Sequence, residues 1–186
     1  MNKVEKQPSA ILAPVPVVMV SCESPRQGRN IITLAWVGTV CSEPPLLSIS
    51  IRPGRFSHQI ITETKEFVVN VPSREMLGAT DYCGVVSGRD VDKFKATGLT
   101  PVPGKIVRAP LLAEAPINLE CQVKQIISLG SHDLFIAQIV KTHVADTVLD
   151  EKGNIMLEAI TGIVYGNGQY CQVGSYLGSY GASHQK

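Results

Sequence analysis

The sequence is poor in charged residues, which make up 18% of its 186 positions against the ~25% of an average soluble protein. Its 17 basic and 16 acidic residues give a formal net charge of +1, so it lacks the overall positive charge of many nucleic-acid-binding proteins. Hydrophobic residues make up 44% of the chain, which excludes an intrinsically disordered protein. A monomer of this size normally carries more charged residues on its surface. We therefore expect a partner or a ligand to cover part of the exterior.

The sequence also lacks the C-x-x-C pairs of zinc ribbons and thioredoxin-like proteins. Its five cysteines are scattered, as is typical of reduced thiols in a cytosolic protein: Cys22, Cys41, Cys83, Cys121 and Cys171. No run approaches the ~20 apolar residues of a transmembrane helix. The apolar run over residues 11–20 contains Pro14 and Pro16, which argue against a signal peptide. We therefore expect a cytoplasmic protein with no membrane segment and no metal site.

Strand patterns dominate what is present, and turns rich in glycine and proline separate them. Strands are predicted over residues 15–22, 31–40, 46–52, 66–71, 117–129, 134–144 and 159–164. Helices are predicted over residues 56–64, 73–83 and 89–97, and the proline-rich segment 99–116 is predicted to cross the surface. Many strands with few, short helices favour a β-barrel that carries helical insertions.

The segment over residues 47–58 combines a two-faced strand with the start of a helix. Leu47, Ile49 and Ile51 alternate with Ser48, Ser50 and Arg52; Arg55, Ser57 and His58 follow after a Pro-Gly turn, with Ser57 as the predicted N-cap. A helix start offers free N–H groups and a positive dipole end, which attract anions. Two arginines, hydroxyls and a histidine at such a point favour a phosphate monoester site. The alternative is a solvated strand face followed by an ordinary capped helix.

Three other segments carry polar chemistry, each with a plainer alternative. Residues 30–36 hold the only tryptophan among small and polar residues, where a planar ligand could approach the backbone, although a lone Trp36 is more often a core residue. Residues 82–94 contain a Ser-Gly turn and Lys93, which could add donors to an anion site or form an ordinary charged helix. His132 lies at a predicted hairpin tip, either simply exposed or in contact with a second substrate.

In their order and spacing, these segments resemble the flavin reductase-like family of FMN-binding split β-barrels, and most closely its flavoredoxin and archaeal ferric-reductase-like branch. The matching pieces are residues 30–36 followed by Pro44-Pro45, Ser50-x-Arg52, Ser57-His58, residues 66–72, the stretch from Ser87-Gly88 to Lys93-Phe94, and His132-Asp133-x-Phe135. The resemblance covers roughly residues 10–181. It implies a mainly β fold, an FMN-binding split β-barrel of Greek-key type with short helical insertions, in a single domain over residues 1–186.

The resemblance also implies a homodimer with one FMN per subunit, bound near the subunit interface. The cofactor residues that it implies are Asn30, Thr33, Leu34, Ala35, Trp36, Ser50, Ile51, Arg52, Ser57, His58, Ser87, Gly88 and Lys93. Of these, Ser50, Arg52, Ser57 and His58 would hold the phosphate, and Lys93 would close the site. Thr33, Ala35 and Trp36 would line the isoalloxazine ring or the ribityl chain. His132 matches the position where related reductases contact the nicotinamide, the one catalytic role that the resemblance suggests.

The activity implied is that of an oxidoreductase that passes electrons from NAD(P)H or a redox partner through FMN to a flavin, a ferric complex or a protein. A non-catalytic electron carrier that holds FMN, of the flavoredoxin type, is an alternative that the sequence does not separate from the first. A barrel holding pyridoxal phosphate or haem is a third, although neither His132 nor His143 has a haem motif around it. No G-x-G-x-x-G follows a strand, so a Rossmann dinucleotide site is not expected.

Overall fold

The computed structural model describes residues 1–184. Within them, twelve strands are β1 (Val15–Pro16), β2 (Val18–Ser24), β3 (Gly28–Leu34), β4 (Val37–Cys41), β5 (Leu46–Ile51), β6 (Glu66–Val71), β7 (Pro101–Val102), β8 (Leu111–Leu112), β9 (Ile117–Ser128), β10 (Asp133–Val144), β11 (Ile163–Gly166) and β12 (Gln169–Gln172). Four α-helices are α1 (Phe56–Thr64), α2 (Leu77–Val85), α3 (Lys93–Thr97) and α4 (Leu157–Ile160). Short 3₁₀ turns cover Arg74–Met76, Asp146–Val148 and Ala182–His184.

Seven of the strands form one antiparallel sheet in the order β3-β2-β6-β9-β10-β5-β4. Strands β3 and β4 lie at opposite edges of this sheet, yet only Ala35 and Trp36 separate them in the chain. A link of two residues can join the two edges only if the sheet curls round on itself. The sheet is therefore a barrel that is split between β3 and β4, which confirms the predicted mainly β, split-barrel fold.

The barrel is filled by the apolar face of each strand, as the alternation in the sequence predicts. In β5, Leu47, Ile49 and Ile51 are buried, while the side chains between them are only partly covered. Helix α1 lies across the barrel and buries Ile60 and Ile61 in the same core. Each such side chain contributes about 1.5–3 kcal/mol through the hydrophobic effect. The core thus fixes both β5 and α1, the two elements on either side of the turn at Pro53-Gly54.

Several predicted elements differ from the structure. The helix expected over residues 89–97 begins only at Lys93. The strand expected over residues 31–40 is broken at residues 35 and 36, because the chain passes there from one sheet edge to the other. The strand expected over residues 159–164 is instead the end of α4 followed by β11, and Thr161 between them has a φ of 50°. Ser57 is not the N-cap of α1, since the helix begins at Phe56 and Arg55 occupies the cap position without a side-chain hydrogen bond.

The proline-rich segment 99–116 was also expected on the surface, and this is wrong for its second half. Val107, Ala109, Leu111 and Leu112 are buried there. The carboxylate of Glu120 in β9 accepts backbone N–H groups from residues 105–107, at 2.7–2.9 Å. A buried acid on the barrel thus accepts the backbone N–H groups of a loop that has little secondary structure of its own. The segment can therefore pack inward without leaving these groups unpaired.

A second sheet has three antiparallel strands in the order β1-β11-β12. Its hairpin brings Tyr165 opposite Tyr170, with ring centroids 5.5 Å apart. Both tyrosines lie beside the split of the barrel, where they line the same cavity as Trp36. No helix among residues 1–184 is long and apolar enough to cross a membrane.

Candidate functional site

Two connected cavities lie along the split of the barrel. The large cavity, of about 480 Å³, is bounded by residues 32–36 and 50–52, by His132, and by Tyr165 and Tyr170 of the second sheet. The small cavity, of about 210 Å³, is bounded by Asn30, Cys83 and Lys93 and by residues 54–57 and 86–89. Ile32, Arg55 and Gly84 line both, so the two cavities form one groove.

The small cavity is rich in buried hydrogen-bond donors. Asn30 donates from Nδ2 to the Oγ of Ser57 at 2.9 Å, and both side chains are buried. The Nζ of Lys93 donates to the carbonyl oxygens of Ile31 at 2.8 Å and Cys83 at 2.7 Å. An ammonium group has three N–H bonds, and so one donor of Lys93 is left for a ligand.

The charge of the small cavity is positive and uncompensated. Arg55, Arg89 and Lys93 line it, and none of the described residues lining it is an acid. Burial is the main reason that the pKa of Lys93 falls below its usual 10.5; the charge of Arg55 adds to this, and the thiols of Cys83 and Cys22 oppose it. An anion bound beside Lys93 would offset both unfavourable effects, because it would solvate and neutralise the ammonium.

The first turn of α1 faces the same cavity. Residues 54–57 line it, and the helix start has neither a side-chain cap nor an acidic residue. The positive end of the helix dipole and the first N–H groups are therefore not satisfied by the side chains of the first turn. This adds backbone donors to those of Asn30, Ser57 and Lys93.

Gly88 lets the loop that lines the small cavity pack directly against Asn30. A Cβ atom at this position would collide with the side-chain amide of Asn30, whose Nδ2 would lie only 2.8 Å away. The loop also turns tightly on itself, because the Oγ of Ser87 accepts the backbone N–H of Arg89 at 3.2 Å. The backbone of residue 88 can thus approach a ligand that a larger residue would exclude.

The large cavity has aromatic walls. The ring of Trp36 is 46% exposed and lies 4.6 Å, centroid to centroid, from the imidazole of His132. Tyr165 and Tyr170 line the same cavity. This exposure contradicts the alternative that Trp36 is a core residue. Aromatic rings around a slot of this volume suit a planar ligand.

Cys83 is a poor candidate for a reactive group. Its side chain is 1% exposed, and burial raises the pKa of the thiol to about 11, although the charge of Lys93 partly opposes this. The thiolate is the nucleophilic form of cysteine, and almost none is present near neutral pH. Cys83 therefore contributes its backbone carbonyl, which accepts from Lys93, rather than its sulfur.

The structure brings the predicted residues into two groups. Thr33, Leu34, Ala35, Trp36, Ser50, Ile51, Arg52 and His132 line the large cavity, and Asn30, Ser57, Ser87, Gly88 and Lys93 line the small one. His58 lines neither, since its Nε2 lies 2.8 Å from Oδ2 of Asp133 and its ring meets the edge of Phe135. Arg52 is grouped with Trp36 and His132, whereas Ser57 is grouped with Lys93.

Three residues of the large cavity, Gly84, Tyr165 and Tyr170, are not predicted by the sequence. Gly84 is an inconspicuous residue in the last turn of α2, with no motif around it. The two tyrosines flank an Asn167-Gly168 turn, which is a strong hairpin signal and could have extended the predicted strand beyond residue 164. Their position beside the barrel depends on β11 pairing with β1, which local sequence does not reveal.

Comparison with known proteins places the chain. The family model described as flavin reductase like domain matches residues 12–174. An uncharacterized protein of Archaeoglobus fulgidus is 36% identical over 126 residues, 68% of this chain and 71% of that protein. Flavoredoxin of Desulfovibrio vulgaris (Miyazaki F) superposes with a TM-score of 0.93 at 30% identity, covering 99% of this chain and 100% of that one. Flavoredoxin from Methanosarcina acetivorans superposes with a TM-score of 0.90 at 26% identity, covering 100% of both chains.

Proposed function

The chain belongs to the flavin reductase-like family, and on that premise we propose that it is an FMN-binding oxidoreductase, which passes electrons from NAD(P)H or a redox partner to an acceptor. The observation that carries this proposal is the joining of a positive, donor-rich cavity to an aromatic one. FMN has the matching shape and chemistry, with a phosphate at one end of a polar chain and a planar ring at the other. When bound, the flavin ring accepts a hydride or single electrons and passes them on.

The small cavity would hold the FMN phosphate. Ser57, Lys93 and the backbone at Gly88 supply donors there, with Arg55 at the junction of the two cavities. Asn30 orients the hydroxyl of Ser57, because its amide already donates to that oxygen. The chemistry of these donors fits a phosphate monoester, which needs several donors and net positive charge. His58 is better placed to anchor α1 to Asp133 than to contact the phosphate.

The large cavity would hold the flavin ring. Trp36, Tyr165 and Tyr170 supply its aromatic walls, and Ser50 and Ile51 lie on the barrel side. The link at Ala35 and Trp36 brings backbone groups to the same place, since these residues belong to neither neighbouring strand. Walls of this kind exclude water from the ring and fix its orientation, which is the protein's part in flavin chemistry.

His132 would meet the second substrate. Its ring lies against Trp36, and the Oγ of Ser131 lies 2.9 Å from its Nδ1. Burial, with a further contribution from the charge of Arg52, lowers the pKa of His132 below its usual 6.5. A neutral imidazole at neutral pH can accept or donate a hydrogen bond to an incoming electron donor without carrying a charge into the cavity.

An electron carrier without NAD(P)H activity is the second candidate function. It is favoured by the similarity to two flavoredoxins over nearly the whole chain. Stopped-flow mixing of the oxidised flavoprotein with NADH and NADPH separates the two functions. Rapid bleaching by either nicotinamide supports a reductase, whereas bleaching only by a ferredoxin-type donor supports a carrier.

We also propose that the protein is a cytoplasmic homodimer. Large apolar side chains are exposed on both terminal segments, and they include Ile11, Leu12, Tyr176, Leu177 and Tyr180. Together with a charged fraction of only 18%, they give the chain an apolar exterior that a second copy would cover. Sedimentation of the flavin-loaded protein at micromolar concentration should give the mass of a dimer, and a monomer would contradict this proposal.

A further inference from the structure

The groove carries positive side chains at both ends, whereas one FMN phosphate would occupy only one end. Arg55 lines both cavities, and Lys93 lines the small one. Arg52 lines only the large cavity, at the end that carries Trp36 and His132. Its guanidinium makes no side-chain hydrogen bond or ion pair with any residue from 1 to 184.

Strand register brings Arg52 and His132 together. Asp133 at the start of β10 pairs with Ile51 at the end of β5, and the two strands are antiparallel. The next position on each side therefore brings His132 opposite Arg52. Their proximity also appears in the pKa of His132, which is lowered first by burial and then by the charge of Arg52. The histidine ring also contacts Ser131 and Trp36.

No acid among residues 1–184 forms an ion pair with this arginine. The one carboxylate among the described residues that line the large cavity is Asp81, which belongs to α2. Asp81 lies by Tyr170 instead, where burial first, and then the hydrogen bond and negative charge of Asp81, raise the pKa of the phenol to about 12. The Arg52 side of the large cavity therefore presents a free guanidinium, a neutral imidazole and an exposed indole to whatever enters it.

We propose that Arg52 and His132 form a second anion subsite, which binds the phosphate or carboxylate groups of a small redox substrate while Trp36 contacts its planar or apolar part. This inference rests on the proposed function, because it assigns the FMN phosphate to the small cavity and leaves Arg52 for another ligand. Guanidinium and imidazole groups recognise both kinds of anion. The substrate is thus either a dinucleotide with a pyrophosphate or a chelate with carboxylates.

The first test is a titration of His132 by NMR in the FMN-loaded protein, with inorganic pyrophosphate or citrate as the probe. The His132→Gln variant assigns its signal among the four histidines. An anion held beside the imidazole should raise the pKa of His132. In Arg52→Gln the pKa should be higher without any probe, and the response should need a higher concentration of the probe. Arg26→Gln is the control, since Arg26 is exposed and lines neither cavity.

The two probes distinguish the sources of the anion. A response to pyrophosphate at lower concentration supports a dinucleotide, and a response to citrate at lower concentration supports a chelate. The Kd of the responding probe should rise about tenfold or more in Arg52→Gln, the effect of losing one charge-assisted hydrogen bond. An unchanged His132 signal with both probes overturns the proposal.

Two further measurements on Arg52→Gln exclude other roles for this arginine. A tenfold loss of FMN affinity would assign Arg52 to the FMN phosphate and overturn the proposal. A lower flavin midpoint potential, with no anion response in the unsubstituted protein, would assign Arg52 to the reduced ring and also overturn it. The His132 titration is repeated on the flavin-free protein, so that failure to bind FMN, which would refute the proposed function, is distinguished from failure to bind the probe.

Discussion

Gly88 lies so close to Asn30 that a Cβ atom on the glycine would collide with the asparagine amide, with Nδ2 only 2.8 Å away. The same amide donates to the Oγ of Ser57 at 2.9 Å. A backbone turn, an amide and a hydroxyl are thus fixed to one another in the small cavity. A larger residue at position 88 would therefore disturb Asn30 and Ser57 in the cavity, and not only the loop.

We expect Gly88→Ala to weaken FMN binding at least tenfold, or about 1.4 kcal/mol. The added methyl group must displace Asn30, which would break its hydrogen bond to Ser57 and move the loop away from the phosphate. The affinity can be measured by quenching of Trp36, the only tryptophan. Gly78→Ala on α2 is the control, because a Cβ there meets nothing within 4 Å. Equal affinities for the two variants would refute the role of Gly88.

Lys93→Met should weaken FMN binding by about 1.5–3 kcal/mol, the contribution of a hydrogen bond to a charged group. The substitution removes the ammonium but keeps most of the buried stem. Lys95→Met on the same helix is the control, since Lys95 is exposed and lines neither cavity. Isothermal titration of the apoproteins gives both affinities, and a loss no larger for Lys93→Met than for Lys95→Met would contradict the assignment.

The lowered pKa of Lys93 also predicts a dependence on alkaline pH. Between this lowered pKa and 10.5 the unfolded chain keeps a proton that the folded, flavin-free chain has released, so the free energy of unfolding rises with pH in this window. FMN affinity should fall over the same window, because the neutral amine no longer attracts the phosphate. Lys93→Met should lose this part of the pH dependence while keeping any contribution from the flavin itself. An equal decline of FMN affinity with pH in the unsubstituted protein and in Lys93→Met would show that Lys93 is not the group responsible.

The local sequence pattern correctly predicted the bounds of two elements and the buried face of a third. The bounds of α1 and β6 are those expected, and the alternation through Leu47, Ile49 and Ile51 gives the buried face of β5. The sequence predicts that Arg52 and Ser57 converge on one phosphate at the start of α1. The structure distributes them between two cavities, since the turn at Pro53-Gly54 redirects the chain before α1 begins.

What local pattern could not predict depends on long-range pairing. The inward packing of residues 107–112 requires Glu120, a buried acid on another element. The tyrosines of the large cavity arrive through the pairing of β1 with β11, from opposite ends of the chain. Neither relationship leaves a periodic signal in the sequence.

Thiol labelling should follow burial. Cys171 is exposed, whereas burial raises the pKa of Cys22 to about 12, of Cys83 to about 11 and of Cys121 to about 12. A maleimide at pH 7.5 should therefore modify Cys171 rapidly and these three only after unfolding, as peptide mass spectrometry would show. Cys83→Ser should leave flavin binding largely intact. Labelling of Cys83 at the rate of Cys171, or loss of turnover with flavin retained, would indicate a redox role instead.

Glu120→Gln should lower the free energy of unfolding at pH 7 by about 2 kcal/mol, the order of a hydrogen bond to a charged group. Burial raises the pKa of Glu120, but hydrogen bonds from His143 and from the N–H groups of residues 105–107 outweigh it and bring the pKa to about 2. The stability from this depressed pKa is complete above 4.5 and is lost as the pH falls towards 2.

The matched control is Glu114→Gln, which changes an exposed acid that accepts one N–H group, from Thr100. Chemical unfolding at pH 7 and at several acid pH values measures both variants. Glu120→Gln should show a flatter dependence than the unsubstituted protein between pH 4.5 and 2. The same stability and the same acid dependence in all three proteins would refute the structural role of Glu120.

The most direct test of the account compares FMN with riboflavin, which has the same ring but no phosphate. Titration of the apoprotein, followed by the fluorescence of Trp36, should give one FMN per chain, bound at least a hundredfold more tightly than riboflavin. That difference, about 2.7 kcal/mol or more, is the contribution expected of the small cavity. Equal affinities for the two flavins would contradict the assignment of the phosphate to Ser57 and Lys93, and no binding of either would contradict the proposed function itself.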